Sequence, residues 1–69
     1  MFKVGDKVKW TDSRGLMRGI VVAINSLVNI TEDHVRIEFK NVNGHTEYTY
    51  RYAHGVEYDM ATHETESHV

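Results

Sequence analysis

The sequence predicts an all-β domain built as a meander of five short strands, and three features carry that prediction. Residues 4 to 10 alternate apolar and polar side chains, residues 19 to 24 form a β-branched apolar run, and Asn43-Gly44 sits between two further alternating segments.

In Val4-Gly5-Asp6-Lys7-Val8-Lys9-Trp10, Val4, Val8 and Trp10 share one parity, while Lys3, Lys7 and Lys9 share the other. This is the pattern of a half-buried strand, with the valines and the indole inward and the lysines outward. Gly5-Asp6 supplies a residue that tolerates positive φ and a side chain that bonds nearby backbone N–H groups, so the chain can turn sharply into the strand. The loop Thr11 to Arg18 follows. Gly19-Ile20-Val21-Val22-Ala23-Ile24 is apolar on both parities, as expected of a central strand that is covered on both sides or strongly curled.

Asn-Gly readily adopts the positive φ values of a two-residue type I′ turn, which predicts a hairpin and its register. Val42 then pairs with His45, Lys40 with Glu47, Phe39 with Tyr48, Ile37 with Tyr50 and Val35 with Tyr52. One face becomes wholly apolar or aromatic, and the other places Arg36 opposite Arg51. Ala53-His54-Gly55 breaks the pattern before a short last strand at Val56-Glu57-Tyr58. Strands are thus expected near residues 4–10, 18–25, 34–42, 45–52 and 56–58. The simplest closure of such a meander is a small five-stranded SH3-like barrel over residues 1–59, with a flexible, disordered polar tail at 60–69.

A chain of 69 residues buries only about 60% of the surface that its unfolded form exposes, and without cysteine it has no disulfide to supplement a small core. The opening residues lack the apolar run of a signal peptide or membrane span, so a cytoplasmic protein is expected. Net charge is -2, but it is polarised. Residues 1–30 carry five basic and two acidic side chains, whereas residues 31–69 carry three basic and eight acidic ones. The excess of positive charge in the first half can steer an anionic partner.

With those elements in place, the chain resembles KOW and Tudor-like modules. The resemblance rests on Val4-Gly5-Asp6-Lys7-Val8-Lys9-Trp10, then Gly19-Ile20-Val21-Val22-Ala23-Ile24, then Val35-Arg36-Ile37-Glu38-Phe39, and it covers residues 2 to about 58. Phe39 to Glu47 also looks like a Tudor hairpin turn. The resemblance implies binding of RNA, or of proteins of the transcription and translation apparatus, in the manner of KOW modules. It also implies capture of methylated side chains in an aromatic cage, in the manner of Tudor modules.

Individual residues admit two readings each. Trp10, Tyr48 and Tyr50 read first as core, and alternatively as an aromatic contact surface. Arg36 opposite Arg51 is a like-charge pair that is either neutralised by a diagonal glutamate or built to grip an anion. In the first loop, Lys9, Arg14 and Arg18 offer contacts to phosphates or acidic residues. Leu16 and Met17 either close the barrel end or supply an apolar anchor. The five histidines show no ligand spacing on one element, so no metal or other cofactor is expected. No serine, histidine and acid form a recognisable triad, and no enzyme activity is expected. Plasmid-borne dihydrofolate reductases share a similar Gly-Asp-x-Val strand, but their Val-Gln-Ile-Tyr motif is missing here.

The expected function is a non-enzymatic module that engages nucleic acid, or a transcription or translation protein, through a basic first strand and loop. The residues assigned to anionic contacts are Lys7, Lys9, Arg14, Arg18, Arg36 and Arg51, with Leu16, Met17, Trp10, Tyr48 and Tyr50 for apolar or aromatic contact. The alternative is protein recognition, by an aromatic site or by edge-strand pairing, as in a small viral accessory factor or an oligomeric subunit.

Overall fold

The computed structural model describes residues 1–60, so the tail expected at 60–69 lies outside the described residues except for Met60. The strands are β1 Lys7–Asp12, β2 Gly15–Ile24, β3 His34–Lys40, β4 Thr46–Tyr52 and β5 Glu57–Tyr58, with one turn of 3₁₀ helix at Ala53–Gly55 between β4 and β5. All pairings are antiparallel, within a single sheet of order β4-β3-β2-β1-β5. The expected all-β sheet of five strands forms, but only β1 to β4 run as a meander; β5 returns to the free edge of β1.

The opening strand is shorter than the alternation predicts. Asp6 N–H donates to the Lys3 carbonyl at 3.1 Å and Lys3 N–H to Asp6 Oδ2 at 2.9 Å, closing a turn in which Gly5 takes a φ of 97°. That turn lifts Val4 out of the alternation and leaves it 64% exposed, contrary to its inward parity in the sequence. From Lys7 onward the parity holds. Val8 and Trp10 are buried, and Lys7 and Lys9 lie on the opposite face.

The expected long loop after β1 is a tight turn. Asp12 pairs with Gly15 across Ser13-Arg14, Asp12 Oδ1 accepts the Arg14 backbone N–H at 2.8 Å, and Gly15 takes the left-handed position at φ 99°. Within β2 the register shifts between Val21 and Ala23, so Val21 meets Ile37 and Ile24 meets Val35. This bulge explains why the run is apolar on both parities. It moves the inward positions from odd to even numbers, and Val21 and Ile24 both reach the core.

The core is Val8, Trp10, Val21, Val35, Ile37, Phe39 and Val56, with Phe2, Met17 and Ile24 packed against it. Trp10 meets Phe39 edge to face at 5.6 Å, a favoured aromatic geometry. Truncating the fully buried Ile37 to alanine would cost about 2–5 kcal/mol, a large share of the stability of so small a domain. Gly19 lets β2 approach β3 closely. A Cβ there would stand 2.5 Å from both the Glu38 carbonyl oxygen and Ile37 Cγ2.

The second hairpin corrects the predicted register by one residue. Val35 pairs with Arg51, Arg36 with Tyr50, Ile37 with Thr49, Glu38 with Tyr48 and Phe39 with Glu47. The turn holds three residues, Val42-Asn43-Gly44, and only Gly44 has positive φ, at 80°. Asn41 imposes this choice. Its Oδ1 accepts the backbone N–H groups of Asn43 at 2.9 Å and His45 at 3.0 Å, while its carbonyl accepts Gly44 N–H at 2.9 Å. Because side chains alternate with period 2, one extra loop residue turns every side chain of β4 over. Tyr48, Tyr50 and Tyr52, expected inside, stand outside at 49%, 45% and 46% exposure.

Candidate aromatic and basic face

The turned-over β4 changes which expected site residues meet. Cross-strand partners put Tyr48, Glu38, Ile20 and Lys7 in one row across the outward face of four strands. Beside it, Tyr50 lies opposite Arg36, and farther along the sheet Lys9 lies between Arg18 and Glu57. The three tyrosines of β4 and most of the basic side chains therefore share one face.

Arg36 is its centre. The guanidinium lies 4.2 Å from the Tyr48 ring centroid and 5.9 Å from that of Tyr50, within the range of cation–π attraction. Its neighbour Glu38 accepts the Tyr48 hydroxyl at 3.1 Å. Among the described residues no carboxylate lies within ion-pair distance of Arg36, and its half-buried side chain carries a buried Nε without a hydrogen-bond partner. A guanidinium partly removed from water, set over aromatic rings and with no carboxylate in ion-pair range among the described residues, is ready for an anion.

Arg51 does not face Arg36; it points to the other side of the sheet. Its Nη2 donates to Asp12 Oδ2 at 3.1 Å, and its guanidinium lies 6.0 Å from the Trp10 ring centroid. Asp12 is shared with Arg14, whose Nη2 donates to the same oxygen at 2.7 Å, and with the Trp10 indole N–H at 3.3 Å. The Arg14 side chain, then its backbone N–H, and then the Trp10 indole hold the Asp12 carboxyl well below the usual carboxylate range, although partial burial opposes them. Asp12 in turn raises the Arg14 guanidinium above its ordinary value. Two of the six expected anion contacts are thus engaged by one internal carboxylate. The Asp12–Arg14 half of the hub was legible in Asp12-Ser13-Arg14-Gly15, since Asp at the first and Gly at the fourth position favour a type I turn.

The remaining expected residues divide. Arg18 Nε lies 3.5 Å from Oδ2 of the buried Asp59. Lys9 is half-buried on the outward face; Lys40, not among the expected contacts, lies on the same face and its Nζ donates to Thr46 Oγ1 at 2.6 Å. Met17 packs against the core while Leu16 is 58% exposed, so the loop pair splits into one closing and one open residue. Trp10 is core, at 3% exposure.

Sequence reading missed His34. It is buried, its Nδ1–H donates to the Glu32 carbonyl at 2.9 Å, and its Nε2 accepts Leu27 N–H at 3.1 Å. Those two bonds fix the tautomer and tie both sides of the β2–β3 loop to β3. Asn25, at φ 49°, completes the tie through bonds to His34 N–H and to Asp33. The loop so held forms one wall of a groove of about 430 Å³ against the Tyr50 and Tyr52 end of β4. Among the described residues no helix is long and apolar enough to cross a membrane. Comparison with family models, with curated proteins and with solved structures finds no match.

Proposed function

We propose that this chain is a non-enzymatic binding module that takes single-stranded nucleic acid across the outward face of its sheet. The carrying observation is Arg36, a half-buried guanidinium 4.2 Å from the Tyr48 ring centroid and 5.9 Å from that of Tyr50, with no carboxylate in ion-pair range among the described residues. Arg36 receives a phosphate, the exposed tyrosines stack bases, and Lys9 and Lys40 add positive charge along the strand's path. An SH3-like barrel of the KOW kind is the proposed fold type. The strand order and the 3₁₀ turn that returns β5 to the free edge of β1 support it.

Cation capture by an aromatic cage is the weaker reading, because the Arg36 charge beside the Tyr48 and Tyr50 rings would repel a second cation. Fluorescence anisotropy with labelled single-stranded 12-mers of RNA and DNA tests the proposal. Binding should weaken with added salt, with a slope of roughly 0.7 per phosphate contacted. Arg36→Gln should lower affinity about tenfold at low salt, the loss of one charge-assisted contact. If no oligonucleotide binds at low salt the proposal falls, and a protein partner, met through the aromatic face or the edge of β4, takes its place.

A further inference from the structure

We propose that the groove between the β2–β3 loop and the Tyr50–Tyr52 end of β4 seats one nucleobase of the strand whose phosphate Arg36 holds. The inference rests on the single-strand reading above and names the subsite that would read a base. Leu27 and Ile30 come from the loop, Tyr50 and Tyr52 from β4, and His54 and Gly55 from the 3₁₀ turn. The groove volume, about 430 Å³, falls in the range of small-ligand sites, and its lining is mainly aromatic and aliphatic.

Two observations favour a base as occupant. The groove is continuous with the anion position, because Tyr50 both lines it and lies under the Arg36 guanidinium. A phosphate at Arg36 thus leaves its attached base within reach of the apolar walls. The walls are also pre-formed. His34 clamps the loop, Ala53 N–H donates to the Asp33 carbonyl at 2.9 Å, His54 Nε2 lies 3.3 Å from Glu32 Oε2, and the His54 ring stacks on Tyr52 at 5.5 Å and 8°. A rigid slot loses little ordering entropy when a flat ring enters.

The test follows backbone amide shifts by NMR while uridine and adenosine 5′-monophosphates are titrated, with inorganic phosphate as control. The nucleotides should move the amides of Leu27, Ile30, His54 and Gly55 together with Arg36; phosphate alone should move only the Arg36 region. In the anisotropy assay Gly55→Trp and Leu27→Glu should each weaken the 12-mer at least fivefold. Both positions lie outside the core, and a Cβ at Gly55 meets nothing within 4 Å, so unchanged melting temperatures are expected. If the 12-mer binds but nucleotides leave the groove amides unmoved, or both variants bind as well as the parent, the base subsite is overturned and the Arg36 face stands. If the 12-mer does not bind at all, both readings fall.

Discussion

Arg36 and Arg51 are both half-buried arginines of adjacent strands, yet the molecule treats them oppositely. On the inner side Arg51 meets Asp12, which also holds Arg14 and the Trp10 indole, so its charge is matched inside the protein. On the outer side Arg36 lies on tyrosine rings with no acid in ion-pair range among the described residues. The difference teaches how to separate a structural cation from a recognition cation on a small sheet. Both occupy semi-buried positions and both contact aromatic rings; only the carboxylate distinguishes them.

The contrast breaks most severely if the sheet itself is disturbed. Gly19→Ala forces a methyl group against the Glu38 carbonyl, which cannot move without loosening the β2–β3 pairing, so chemical denaturation should show a loss of about 1–3 kcal/mol. A smaller and cleaner separation comes from the arginines. Arg36→Gln should leave the melting temperature nearly unchanged while costing about tenfold in oligonucleotide affinity; Arg51→Gln should lower the melting temperature and spare affinity. Equal behaviour of the two variants in both assays would remove the distinction.

Next in size is the turn that sets the outer face. Asn41→Ala deletes the acceptor for two backbone N–H groups of the three-residue turn and should cost about 1 kcal/mol, read by denaturation. The smallest effect is a pH dependence of the inner side. Because the folded protein holds Asp12 below its unfolded value, its contribution is fully present above the ordinary carboxylate pKa of about 4 and fades as pH falls below it. Asp12→Asn should flatten the acid limb of the melting curve between roughly pH 4 and pH 2 without altering salt-dependent binding.

Much of the fold was legible in the chain, and the reasons lie in particular residues. Val8 and Trp10 against Lys7 and Lys9 fixed the faces of the first strand, since a one-residue slip there would bury charge and expose an indole. The second hairpin lacked that safeguard. Val35, Ile37 and Phe39 are buried in either register, and tyrosine is tolerated on both sides of a sheet, so patterning left β4 undecided. Asn43-Gly44 pointed to a two-residue turn, while Asn41 recruited Val42 into a three-residue one. The candidate site was legible as a list of residue types but not as a grouping. Arg36, Tyr48 and Tyr50 come together only in the observed register, and Arg51 reaches Asp12 from 39 positions away.

The chain by itself determined five strands, a valine- and tryptophan-lined core and the outward lysines, because these follow from local periodicity and the cost of burying charge. Only the folded structure decided which arginine is matched by an acid and which is left open. That outcome depends on one turn residue and on contacts between strands nearly forty positions apart, whose pairing no local pattern encodes.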